Sequence, residues 1–176
     1  TFQHITAANS PTPYRDNLFG EGSARHLFIS APAYNVVRRE LLQPSGVSFT
    51  SSRPEGADGP EFLASSDAWF RPITLRTGPD GALWIADFYR LVLEHPQWIP
   101  NDVEERIDLR SGSDRGRIYR IYPVGTKAKP TPNLASKTTS QLVAALDSPN
   151  GWQRDTAQQL LVRQNHKSAT KQLTNL

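Results

Sequence analysis

HLFISAPAYNVVRREL, residues 26–41, sets two apolar runs on either side of the break Ala31-Pro32-Ala33-Tyr34-Asn35. Short apolar runs bounded by Gly, Pro or Asn read as strands joined in a hairpin. The pattern recurs further along the chain. In ALWIADFY (82–89) and GRIYRIYP (116–123), Leu83, Trp84 and Ile85 match Leu27, Phe28 and Ile29, while Ile118, Tyr119 and Arg120 match Val36, Val37 and Arg38. VSFTSS (47–52) follows the turn QPSG and reads as an outer strand, and RPITLRTG (71–78) leads into the turn Pro79-Asp80-Gly81. Four short strands repeating as a meander make one blade of a β-propeller, with a sandwich or barrel as the alternative.

From about Thr126 the composition changes to the Pro-containing KAKPTPN, a linker signal. Beyond it the period becomes helical. Leu142, Val143 and Leu146 fall on one face of SQLVAALDS, and Trp152, Ala157, Leu160 and Leu161 on one face of NGWQRDTAQQLLVRQ, with Asn150 as a plausible N-cap. Two helices this short cannot bury their own apolar faces and are expected to open a helical stack or to cap the sheet domain. The predicted fold is thus mainly β: a partial propeller of about two four-stranded blades over 1–124, a linker over 125–137 and a short helical segment over 138–176.

The chain has 176 residues, a formal charge of +3, no Cys and no Met, and it begins at Thr1, so it reads as a piece of a longer protein. Its Lys and Arg residues are scattered among acids, so nucleic acid is not the expected partner. Without Cys there is no disulfide, no Cys-ligated zinc and no covalently attached haem within this stretch. No run approaches the roughly 18–20 apolar residues that span a bilayer, and no secretory signal opens the chain. Nucleophile-elbow, HExxH, Walker and dinucleotide-binding motifs are absent.

Hairpin counting outward from Pro79-Asp80-Gly81 places Arg71 about level with Tyr89. Arg71, Asp87, Tyr89 and Arg90 should therefore gather at the end of the sheet opposite the turn, where the returning strand brings Asp114 and Arg115. Tyr34 and Asn35 belong to the matching break in the sister repeat. Between these strands runs LVLEHPQWIPNDVEERIDLRSGS (91–113), a connection long enough to suggest a functional loop, which Leu93, Trp98, Ile99 and Ile107 would anchor. Arginines there suit carboxylates or phosphates, His95 has a base's ordinary pKa, and Trp98 between Pro96 and Pro100 suits a sugar or a peptide. Against these stand simpler roles: Asp87 capping a turn, His95 as a loop residue, Arg38, Arg117 and Arg120 as solvated or paired strand residues, and Asp102, Glu104, Glu105 and Asp108 as a solvated acidic face lacking the pattern of a calcium loop.

TPYRDNLFG (12–20), EFLASSDAWFRP (61–72), LRTGPDGALWIADFYR (75–90), EHPQWIP (94–100) and DLRSGSDRGRIYRI (108–121) together resemble the membrane-bound dehydrogenase domain of large proteins of Planctomycetes, itself similar to soluble glucose and sorbosone dehydrogenase propellers. The resemblance covers roughly residues 4–124. It implies an exported or periplasmic protein in which HEAT-like repeats follow the propeller, as SQLVAALDSPNGWQRDTAQQLLVRQ (140–164) suggests, and a c-type cytochrome domain lies outside this chain. It further implies oxidation of a sugar or other alcohol with pyrroloquinoline quinone (PQQ) and calcium. Arg71 matches a cofactor-holding arginine by its position relative to the turn, and Asp87, Tyr89, Arg90 and Arg115 are further cofactor candidates. Tyr34, Asn35 and Trp98 are substrate candidates and His95 a catalytic candidate, although the base of those enzymes lies in an earlier blade. The competing expectation is a non-catalytic propeller that binds an extracellular glycan or protein through the 91–115 loop.

Overall fold

The computed structural model describes residues 5–54, 60–127, 129–165 and 167–174. Their strands form two antiparallel sheets. The first holds β1 (Asn9–Pro13), β2 (His26–Ala31), β3 (Val36–Ser45) and β4 (Ser48–Ser52) in chain order, with the two-residue β5 (Leu63–Ala64) also pairing with β3. The second holds β6 (Pro72–Thr77), β7 (Leu83–Asp87) and β8 (Arg117–Ile121), again in chain order. The four consecutive strands expected of each repeat are therefore present in the first sheet, whereas the second has three among the described residues. β1 and β5 were missed in the sequence because NSPTP has no apolar alternation and Leu63-Ala64 is too short to show any.

The hairpin read from residues 26–41 is present as β2 and β3. In β2 and β3, Phe28 lies opposite Arg39 and Ser30 opposite Val37. Phe28, Ala31 and Val37 are buried, and the Phe28 ring packs on Phe62 with centroids 4.7 Å apart. Pro32–Tyr34 close the connection as a 3₁₀ turn, capped by Asn35 in the left-handed conformation (φ 58°), which Asn tolerates better than most residues. In the second sheet the Gly78 N–H donates to the Ala82 carbonyl at 2.8 Å, and Gly81 has a φ of 85°. The Asp80 Oδ1 accepts from the Ala82 N–H, the turn role expected of it. The Phe88 N–H donates to the Arg71 carbonyl at 2.9 Å, which brings Arg71 level with Phe88, one residue from the counted partner.

Two compact units divide the chain, and they do not follow chain order. One comprises Thr1–Pro13, Arg25–Arg76 and Trp84–Arg120; the other comprises Tyr14–Ala24, Thr77–Leu83 and Ile121–Leu176. Within the first, the Leu75 N–H donates to the Ser10 Oγ at 2.8 Å and the Thr12 Oγ1 donates to the Leu75 carbonyl at 3.0 Å, so β1 and β6 are joined through side chains.

The second unit holds α2 (Thr139–Ala145), α3 (Gly151–Arg163) and α4 (Thr170–Leu173); the remaining helix, α1 (Asn101–Glu104), lies in the long connection between β7 and β8. Thr138 and Gln141 form a capping box on α2, and Asn150 caps α3 by accepting the Gln153 N–H at 2.9 Å. Leu142, Val143, Ala157 and Leu161 meet in one apolar cluster with Leu134 and Ala169. Trp152, expected on the same face, is exposed: it sits in the first turn of α3, ahead of the part that packs. In the same unit Asn150 also donates to Asp16 Oδ2 at 2.7 Å and to the Gly78 carbonyl at 2.8 Å, and Arg15 pairs with Asp155 through both guanidinium ends. No described helix is long and apolar enough to cross a membrane.

Candidate functional site

Asp87 ends β7 with its carboxylate turned inward and is only 3% exposed. Its Oδ1 accepts two backbone N–H groups, from Arg71 at 2.8 Å and from Tyr89 at 2.9 Å. The second of these closes a local Asx turn and holds Tyr89 at a φ of 50°, unusual for an aromatic residue. Gly112 supports the same bend, because a Cβ there would lie 2.4 Å from the Tyr89 carbonyl oxygen. The Asp87 Oδ2 is buried without a hydrogen bond, 3.7 Å from the Arg117 Nε, and the Arg117 guanidinium stacks 3.8 Å from the centre of the Tyr89 ring. Trp69 lies on Tyr89 with ring centroids 5.7 Å apart. Asp87 is thus the brace of a strand end.

Arg71 is half-buried and turns its guanidinium onto the backbone. Its Nε donates to the Arg90 carbonyl at 2.9 Å, its Nη1 to that of Pro32 at 3.0 Å and its Nη2 to that of Leu91 at 3.0 Å. Burial lowers its pKa below the ordinary arginine value, with Asp67 and Asp87 opposing that shift, and it keeps its proton as arginines in proteins do. Asn35 donates its side-chain N–H to the carbonyls of Ala68 and Phe70, and the Arg90 Nη1 donates to those of Phe88, Tyr89 and Gly112. The structure therefore brings together Arg71, Asp87, Tyr89 and Arg90, as hairpin counting predicts, and adds Asn35 from the break between β2 and β3. It joins them through backbone carbonyls and amides, which sequence cannot display.

The other candidates lie elsewhere. The Tyr34 hydroxyl hydrogen-bonds to Thr6 Oγ1 at 3.3 Å. His95 is exposed, and its Nδ1 accepts the Gln97 N–H at 3.2 Å, capping the 3₁₀ turn Pro96–Trp98. Arg115 and Asp114 face solvent 3.9 Å from one another, so the returning strand contributes Arg117 to the cluster instead.

The long connection is built from local turns. The Leu91 N–H meets the Ser111 carbonyl at 3.5 Å and Arg90 holds Gly112, closing its base. Within it the Pro96–Trp98 turn is followed by α1, and Asp108 caps the Arg110 N–H at 2.9 Å. Asp102 pairs with Arg106 one helical turn on, in keeping with a solvated acidic face. Neither Trp98 nor Leu93 anchors the segment as expected: Trp98 is 71% exposed, and Leu93 joins Phe88, Leu91 and Val103 as exposed apolar side chains. A three-residue 3₁₀ turn and the four-residue α1 do not make a core to receive them. A cavity of about 730 Å³ in the other unit is lined by Tyr14, Asp16, Glu21 and Arg154 among others, and Arg154 already donates to the Ser148 carbonyl.

Of the five N–H groups of Arg71, the arginine that the resemblance assigns to a PQQ carboxylate, three are engaged by backbone carbonyls, one on each nitrogen. No group of three or more His, Asp or Glu among the described residues could hold a metal ion.

Residues 1–125 match the model of a domain of unknown function, DUF7133. The chain belongs to that family. The DUF7133 match covers every strand of both sheets and ends before α2. No curated protein and no solved structure matches the chain.

Proposed function

We propose that this DUF7133 domain is a non-catalytic binding module whose ligand is a protein, held by the connection between β7 and β8. The observation that carries this reading is the exposure of Phe88, Leu91, Leu93, Trp98 and Val103 within one short stretch of chain whose base is pinned by backbone hydrogen bonds. Exposed apolar side chains concentrated in one segment mark interaction surfaces, and Trp is enriched among the residues that dominate binding energy. Aliphatic neighbours favour a protein over a glycan, since a sugar needs an aromatic platform ringed by hydrogen-bonding groups and the exposed side chains around Trp98 in this stretch include Leu91, Leu93 and Val103. The dehydrogenase reading rests on the family resemblance, and the geometry of these residues adds nothing to it.

A peptide-display selection against the full chain tests the proposal, with a glycan array and a PQQ–calcium titration run on the same sample. The expected result is a peptide consensus whose affinity falls at least about tenfold in Trp98→Ala and Leu93→Ala variants with unchanged unfolding midpoints. Glycan hits that depend on Trp98, or saturable PQQ binding with sugar oxidation, would overturn it.

A further inference from the structure

The two sheets share a sequence repeat, and the first has one strand pairing that no described strand supplies in the second. Val36 and Val37 of β3 correspond in sequence to Ile118 and Tyr119 of β8. In the first sheet this position is closed: Val36 pairs with Ala64 and Val37 with Leu63 across the β3–β5 ladder, and both valines are buried, at 7% and 0% exposure. In the second sheet β8 is the last strand in the order, and no described strand pairs with its outer edge. Ile118 is 68% exposed there and Tyr119 36%. A bare strand edge offers a row of unpaired N–H and C=O groups, and soluble proteins usually blunt it with charge, Pro or a bulge. Arg117 stacks over the Tyr89 ring and Arg120 over that of Trp84, and both stay exposed, so the strand carries exposed positive charge on either side of Ile118 and Tyr119 in sequence.

We propose that the outer edge of β8 is a strand-addition site for an extended segment that sets an aliphatic residue followed by a small one against Tyr119 and Ile118 and carries acidic residues at its ends. The chain itself supplies the template for this occupant. PEFLASSD (60–67) places Leu63-Ala64 on the equivalent positions of β3, and its Glu61 pairs with Arg53 at 2.7 Å. The acidic flanks complement Arg115, Arg117 and Arg120, three cations within six residues of β8 and its approach. Main-chain hydrogen bonds would supply affinity and the Ile118–Tyr119 step the register.

The experiment titrates the full chain with a fluorescein-labelled PEFLASSD peptide and follows anisotropy, with size-exclusion light scattering on the unliganded protein. Saturable one-to-one binding is expected. It should fall at least about tenfold when Leu63 and Ala64 of the peptide are N-methylated, and again in Ile118→Lys, whose side chain is already exposed and should leave the fold intact. Rising salt should weaken it as the arginines are screened. Equal affinity for the methylated peptide, or no binding up to about millimolar peptide by protein with native circular dichroism, would overturn the proposal. So would a self-associated species that the peptide does not displace.

Discussion

Replacing Asp87 by Ala tests whether this carboxylate is a brace. The substitution removes the acceptor for the Arg71 and Tyr89 N–H groups at 2.8 and 2.9 Å. Hydrogen bonds to a charged group are each worth about 1.5–3 kcal/mol, so the gross loss is about 3–6 kcal/mol. Part of it is returned, because the buried Oδ2 has no hydrogen bond and its removal relieves a desolvation cost of about 1–3 kcal/mol. The net destabilisation should be about 2–4 kcal/mol, which lowers the urea midpoint by about 1–2 M at an m-value of about 2 kcal/mol/M. Asp87→Asn is the control. Its amide oxygen can take over both N–H groups, while its NH₂ group must face the Arg117 Nε, a donor opposite a donor. It should cost about half as much as the Ala variant. An Ala variant within about 0.5 kcal/mol of the parent, or an Asn variant more damaging than Ala, would refute the turn-bracing account; the second result would mean that charge, not acceptor geometry, is what the position supplies.

Gly112→Ala sets a Cβ 2.4 Å from the Tyr89 carbonyl oxygen in a residue at φ 88°, so a loss of about 3 kcal/mol or more is expected in thermal unfolding. Asn150→Ala removes the cap of α3 together with the donors to Asp16 and Gly78, and should lower stability by about 2–4 kcal/mol, read by denaturant titration. His26 is half-buried between Arg25 and Arg39; burial first, then Arg39 and Arg25, lower its pKa below the ordinary value. Between its folded pKa and the unfolded value of about 6.5 the unfolded chain binds more protons, so the stability due to neutral His26 is fully present above about pH 6.5 and is lost as pH falls towards the folded pKa. The drop in urea midpoint between about pH 7.5 and about pH 5.5 should therefore be smaller in His26→Gln than in the parent.

Periodicity alone determined where the strands β2, β3, β4, β6, β7 and β8 lie and where the chain turns helical, because apolar alternation and turn residues act within a few residues of each other. It also determined that Arg71, Asp87, Tyr89 and Arg90 share one strand end, since counting from a tight Pro-Asp-Gly turn places them to within one residue. Tertiary structure decided what those residues do there. The partners of Arg71 are the carbonyls of Pro32, Arg90 and Leu91, and those of Asp87 are the N–H groups of Arg71 and Tyr89. Every residue carries such groups, so no side-chain pattern announces which will be left for an arginine or an aspartate to satisfy. The same holds for Trp98 and Ile118. Apolar character in sequence suits an anchor in a core or a contact on a surface, and only the fold decides between them, leaving Trp98 and Ile118 exposed among the described residues.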